Sequence, residues 1–340
     1  MTYRIFNRTD VVAEGWYWLL ASRELKPGQV KAVNILGDEL AVFRGKDGRV
    51  AALDAYCPHM GAHLAEGRVE GNELRCFFHN WRFDASGQCT DIPCLAVQLQ
   101  RRVQTRAWRV EERNGLIWAW LGTAANAGAV PEVPELAGTD YECTAGGRFT
   151  KHCHPNVVMV NAIDEQHFHT VHRLPGSILS MEPLPRDVRN IEFHNSGRPP
   201  QGSAIGRLIG RFYKNALTYN LSYWSGTTGT VTLGPDFLHL YLMFALRVTP
   251  DGKTEGRTVA FTRKRKGPIG WLFSRLLLRV THLAGYYFAV GDTRIFQTIR
   301  FNLKTPIPAD RAVMAFIQHL EQQPAHQLAA PQPAGDRKAA

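Results

Sequence analysis

The stretch CPHMGAHLAEGRVEGNELRCFFH, residues 57–79, opens on Cys57-Pro-His59 and closes on Cys76-Phe-Phe-His79. The 340-residue chain has only six cysteines, so two Cys–His pairs this close need a reason. Thiolates and neutral imidazoles are strong protein ligands for iron and zinc. A Cys2His2 zinc site is the first rival, but zinc fingers pair Cys with Cys and His with His at each end. Here each pair supplies one of each. That suits a two-iron cluster in which one iron takes both sulfurs, Cys57 and Cys76, and the other takes both imidazoles, His59 and His79. His63 is off the spacing and is read as structural.

The flanks give the first domain its class. GWYWLLAS, VKAVNIL, ELAVFRG and RVAALDAY are short apolar runs broken by turn signals, with Lys46-Asp47-Gly48 and Asn114-Gly115 as hairpin turns. The region reads as all-β. Residues 123–138 are rich in Ala, Gly and Pro and read as a linker. The expected division is a cluster domain over 1–125, a second domain over 126–322 and a disordered Ala-, Pro- and Gln-rich tail over 323–340. In the second domain a helix-like stretch at 156–174 precedes strand-like runs in LTYNLSYW, TGTVTLG, FLHLYLMFALRVTP and GRTVAFTRKR. A further helix is expected over 269–290. Arg275, Arg279 and His282 recur there at i, i+4 and i+7, giving one polar stripe and a wide apolar face, expected to pack in the core. The same charges argue against a membrane span.

A second set of metal-ligating residues lies in NAIDEQHFHTVH, residues 161–172. Non-haem Fe(II) sites use two histidines and one carboxylate, leaving positions open for O2 and substrate. His167, His169 and His172 compete for the two nitrogen places. On spacing alone His169 with His172 is a rival pair, because i, i+3 shares a helix face. The carboxylate must come from elsewhere in the chain.

Cys57-Pro-His59, Cys76-Phe-Phe-His79-Asn80-Trp81-Arg-Phe83-Asp84, Gly87 and Ile92-Pro93 together resemble the N-terminal domain of Rieske non-haem iron oxygenases, over about residues 12–122. Asn80 stands where the family commonly has Gly, and Asn also tolerates left-handed backbone angles. The resemblance is to the oxygenase components built from one type of subunit, the ketosteroid, sterol and demethylating members. It implies an α+β chain: an all-β [2Fe–2S] domain, then a helix-grip domain with an antiparallel sheet flanked by helices. It selects the register Asn161, Asp164, His167, His172 and so implies His167 and His172 as iron ligands. It implies Asp292, in Asp-Thr-Arg-Ile295-Phe296, as the third, ahead of Glu182 and Asp187. It also implies that Asp164 links the iron site to His79 of a neighbouring subunit, in a head-to-tail homotrimer.

The expected cofactors are a Rieske [2Fe–2S] cluster and mononuclear Fe(II). No dinucleotide fingerprint is present, so electrons must come from an NAD(P)H-dependent reductase, a ferredoxin, or both. The expected reaction is hydroxylation or oxidative demethylation of a largely apolar substrate with O2. Ring dihydroxylation and a cluster protein without oxygen chemistry are the alternatives. Phe237, Leu238, Leu240–Phe244, Trp271 and Tyr286–Phe288 are candidate pocket walls. The other cysteines, Cys89, Cys94, Cys143 and Cys153, read as small buried hydrophobes. The N-terminus lacks the pattern of a secretory leader, and a cytoplasmic location is expected. Net charge is +10, concentrated in 257–266 and then Arg275 and Arg279. Such a patch suits an acidic protein or a peripheral membrane contact; no motif supports nucleic acid.

Overall fold

The structure is a computed structural model that describes residues 3–94, 103–123, 127–173, 179–197, 218–235 and 238–328, without the side chain of Phe288. The expected tail beyond 328 lies outside the described residues. The chain forms two compact units, one of Trp16–Val130 and one of Pro131–Gln327 together with the first fifteen residues.

In the first unit, Gly15–Ala21 and Leu116–Leu121 are buried at every position. Leu116–Leu121 is the middle strand of one sheet, between Gly15–Ala21 and Val110–Arg113, while Val30–Ile35, Asp38–Arg44, Val50–Asp54 and Ala107–Trp108 form another. The Asn114-Gly115 hairpin closes between paired Arg113 and Leu116, and both turn residues have positive φ, 58° and 70°, as a two-residue type I′ turn requires. A third, smaller sheet holds Arg68–Glu70, Glu73–Arg75, Arg82–Phe83 and Cys89–Asp91. Its two middle strands present Cys76 and His79 between them.

The second unit is built on a seven-stranded antiparallel sheet in the order Tyr141–Lys151, Thr254–Arg263, Leu240–Val248, Thr228–Gly234, Thr218–Trp224, Asn190–Asn195, Met181–Pro185. The last two strands carry no clear signal in the sequence, because Pro183 and Pro185 argue against a strand. Met181–Pro185 is the edge, where a proline costs no ladder bond on its solvent side.

Five α-helices are described: α1 (Pro155–Asn161), α2 (Glu165–Thr170), α3 (Gly267–Gly291), α4 (Thr293–Thr298) and α5 (Arg311–Glu321). The single helix expected over 156–174 is therefore two. The break falls at Ala162–Asp164, where the Asp164 side chain caps α2, and His172 lies past the helix end. The orientation of α3 also differs from expectation. Its sheet side carries Ser274, Leu277, Leu278 and Thr281, all buried, while Leu272, Leu276 and Leu283 face outward, 56–68% exposed. Small residues let the helix come close: a Cβ at Gly285 would stand 2.7 Å from a Leu242 methyl. The broad apolar face is thus the outer one.

The N-terminal segment, expected in the cluster domain, packs in the second unit. Val11–Ala13 pairs with Ala325–Gln327, a strand within the expected tail. Ile5 and Phe6 are buried, and their amides donate to the Glu321 carboxylate at 2.9 and 2.7 Å. His154 fastens the same segment. Its Nδ1 accepts from the Asn156 amide at the start of α1, which leaves Nε2 to donate to the Arg8 carbonyl at 2.8 Å. Burial lowers its pKa from 6.5 to about 4. The folded state therefore refuses a proton that the unfolded chain accepts, and stability falls as pH drops from about 6.5 toward 4. Urea unfolding at pH 6.5 and pH 5 should differ by about 1.5 kcal/mol from this residue, and His154→Asn, which keeps a capping acceptor, should remove that slope.

Candidate metal centres

Two loops of the first unit have the same backbone hydrogen bonds. The amide of Cys57 donates to Ala62 O, and that of Gly61 to Cys57 O; the amide of Cys76 donates to Trp81 O, and that of Asn80 to Cys76 O. In each loop the fourth residue after the cysteine turns left-handed, Gly61 at φ 73° and Asn80 at φ 63°. Asn80 thus fills a place that otherwise favours glycine, and its Oδ1 accepts from Arg75 Nε at 3.2 Å.

The loops bury the sulfurs and leave the imidazoles exposed. Cys57 and Cys76 are 3% and 1% exposed, within the core of this unit. Burial, with Cys76 alongside, pushes the Cys57 thiol up to about 11. Ionising Cys57 is thus left to a bound metal. His59 and His79 are exposed, their ring centroids 4.5 Å apart, and His59 stacks on Trp81 at 4.4 Å. Among the described residues these four donors do not gather on one point, as a single zinc would need. Two buried thiols beside two exposed imidazoles fit a [2Fe–2S] cluster. Cys89 and Cys153 are buried as expected, Cys143 is partly buried, and Cys94 is exposed.

In the second unit, His167, His172 and Asp292 do converge, with one donor atom of each within 4.8 Å of the others. Asp292 sits at the junction of α3 and α4. Its Oδ1 lies 3.0 Å from His167 Nε2 and 3.2 Å from His172 Nε2. Its Oδ2 accepts from Asn161 Nδ2 at 2.8 Å. A carboxylate only 6% exposed is costly unless paired, and these three neighbours are the compensation. Burial lowers the His172 pKa against the opposing pull of Asp292, which keeps the imidazole neutral and able to bind a metal. Two imidazoles and a carboxylate fit Fe(II) with positions left open. His169 is exposed and stands outside the group. Glu182 pairs instead with Arg311, and Asp187 accepts backbone amides in a turn. Asp164 Oδ1 accepts from the amides of Gln166 and His167, while its Oδ2 has no partner among the described residues.

A cavity of about 640 Å³ reaches this group. Leu240, Leu242, Phe244 and Leu246 line it from alternate positions of one strand, whereas Tyr241 and Met243 point to the other face of the sheet. Tyr286 also lines it; Leu238, Trp271 and Tyr287 do not. Phe237 and the side chain of Phe288 lie outside the described residues. Two residues on the wall were invisible to sequence reasoning. Lys151, at the end of its strand, donates to Ala289 O at 3.1 Å, and burial lowers its pKa against the pull of Asp292. Tyr219 donates to Ala162 O at 3.0 Å, and burial raises its pKa. Neither has a spacing signal. Asn161 did have one, its place three residues before Asp164.

Residues 15–105 match the model of the Rieske [2Fe-2S] domain. Cholesterol 7-desaturase nvd 1 of Ciona intestinalis is 37% identical over 180 residues, 51% of this chain and 38% of that protein. The 3-ketosteroid-9-alpha-monooxygenase oxygenase component of Rhodococcus rhodochrous is 36% identical over 169 residues, 47% and 42% of the two chains. The matches thus span well under half the length of these relatives. Among solved structures, NdmB of Pseudomonas putida CBB5 superposes with TM-score 0.69 at 16% identity, covering 90% of this chain and 89% of that one. Dicamba monooxygenase bound to dicamba gives TM-score 0.59 at 21% identity, covering 94% and 98%.

Iron and acid-labile sulfide per chain test the second centre. Asp292→Ala should lose the iron that is not matched by sulfide, with sulfide unchanged. His169→Ala should keep it. Asn161→Ala should weaken its binding about tenfold or more, the usual cost of losing a group that orients a ligand.

Proposed function

We propose that this chain, which carries a Rieske [2Fe–2S] domain and has the fold of the Rieske oxygenases, is the oxygenase component of a system that hydroxylates or oxidatively demethylates a largely apolar substrate with O2. The observation that carries this reading is the convergence of His167, His172 and Asp292 on the wall of an apolar cavity. In the reading, Cys57, His59, Cys76 and His79 hold the cluster, and His167, His172 and Asp292 hold the iron. The cluster, when bound, supplies single electrons, and the iron supplies a site for O2.

The remaining work belongs to side chains of the chain itself. Asn161 fixes the Asp292 carboxylate by its Oδ2 and so presents Oδ1 to both imidazoles. Phe168 packs against His167, His172 and Tyr219 and keeps water from their edges. The apolar wall of Leu240, Leu242 and Phe244 holds substrate by exclusion of water, which leaves its orientation to the few polar groups on the wall, Lys151 among them. Relatives named for cholesterol and 3-ketosteroids favour a fused-ring, sterol-like substrate.

Asp164 is the proposed link between subunits. Its uncommitted Oδ2 would accept from His79 of a neighbouring copy, in a head-to-tail trimer. Exposed Met60, Phe77 and Phe78 around the imidazoles suit such a contact. Electrons would come from a reductase or ferredoxin in the cytoplasm, and a peripheral membrane contact belongs to the same reading.

The first test is iron and sulfide on protein prepared without oxygen. About three irons to two sulfides is expected. Two irons to two sulfides that added Fe(II) does not change would favour a cluster protein without oxygen chemistry. Asp164→Asn should keep both metals and a folded α2 yet lose most turnover; full turnover would remove the bridge.

A further inference from the structure

We propose that α3 lies flat in the interface of an anionic membrane and that the cavity opens toward that surface. Ile269, Leu276, Val280, Leu283, Tyr287 and Val290, with the adjacent Leu272 and Phe273 each three or four residues from Ile269 and Leu276, form one stripe along the helix. Every one of them is at least 40% exposed, and Ile269 reaches 85%. A stripe this long in water needs a cover.

Charge identifies the cover. Residues 267–291 contain no Asp or Glu. Arg263, Lys264 and Lys266 lead into the helix, Arg275 and Arg279 lie along it, and all five are exposed. None of the five makes an ion pair among the described residues. An apolar stripe flanked by unneutralised cations, with Trp271 and Tyr286 beside it, is the pattern of a helix resting among anionic headgroups. A second copy seated through the same helix is the poorer occupant, since it would set these five exposed cations against their own counterparts. Spanning is excluded for this helix: among the described residues no helix is long and apolar enough to cross a membrane.

The stripe and the cavity meet. Tyr286 and Val290 are 68% and 49% exposed, yet both also line the cavity, so its rim lies on the outer face of α3. A bilayer seated there would feed an apolar, membrane-dissolved substrate to the cavity without passage through water. This delivery step rests on the oxygenase reading; the docking itself does not.

The experiment is flotation of the full-length holoprotein with vesicles of phosphatidylcholine, alone or mixed with phosphatidylglycerol. Binding to the mixed vesicles, weakened by salt, is expected. Leu276→Gln/Leu283→Gln, which changes no charge and touches no cavity residue, should weaken binding on the order of tenfold. Lys264→Gln/Lys266→Gln should do likewise. Brominated lipid should quench tryptophan emission, and Trp271→Phe should remove most of that quenching. Several outcomes overturn the proposal: no vesicle binding, binding unaffected by the leucine pair, or no quenching. So does a leucine pair that dissociates an assembly in sedimentation while vesicle binding persists, which would make the stripe a contact between copies. Vesicle binding needs no turnover, so iron and sulfide content report separately on the oxygenase reading.

Discussion

The metal-binding end of the second unit is arranged around one buried carboxylate. Asp292 must sit between His167, His172 and Asn161, which come from a segment about 130 residues earlier. Unpaired, such a group would cost several kcal/mol in an apolar surrounding. Its demands explain local features that look unrelated. The turn from α3 into α4 places it, and Gly291 leaves space beside His172, where a Cβ would come within 3.2 Å of the ring. The break between α1 and α2 lets Asn161 and His167 approach it from two helices rather than one. His172 then arrives from beyond the end of α2.

The cluster loops show the same economy at the level of the backbone. Two loops of different sequence converge on one set of hydrogen bonds, and each needs a left-handed residue at one place. Gly61 and Asn80 meet that need by different chemistry, one by lacking a Cβ and the other through a side chain compatible with the turn.

Much of this was legible in the sequence where the signal is local. The two Cys–His pairs, the hairpin turns at Lys46-Asp47-Gly48 and Asn114-Gly115, and most strands of the large sheet could be read from spacing and alternation. The three-donor group was legible only through resemblance, because Asp292 is far from the histidines in the chain and spacing alone favoured His169 as well. What stayed hidden depends on tertiary context. The edge strand Met181–Pro185 carries prolines that only an edge accepts. Lys151 and Tyr219 gain their place from neighbours that the sequence does not bring near them. The facing of α3 runs against its sequence pattern, because an apolar stripe normally marks the core side, whereas here Ser274, Thr281 and Gly285 make the closer fit to the sheet.

The strand pair of Val11–Ala13 with Ala325–Gln327 has a consequence for how the molecule is made. The chain starts one unit, leaves it at Gly15 to build the other, and returns at Pro131. The cluster domain is therefore an insertion within a discontinuous domain. During synthesis the cluster domain can finish early, since all its strands emerge together. The opening strand of the other unit must wait, unpaired, until its partner Ala325–Gln327 has left the ribosome, after the whole of the inserted domain. Trimming the first dozen residues would spare the domain that follows them in sequence and injure the one whose sheet begins more than a hundred residues later.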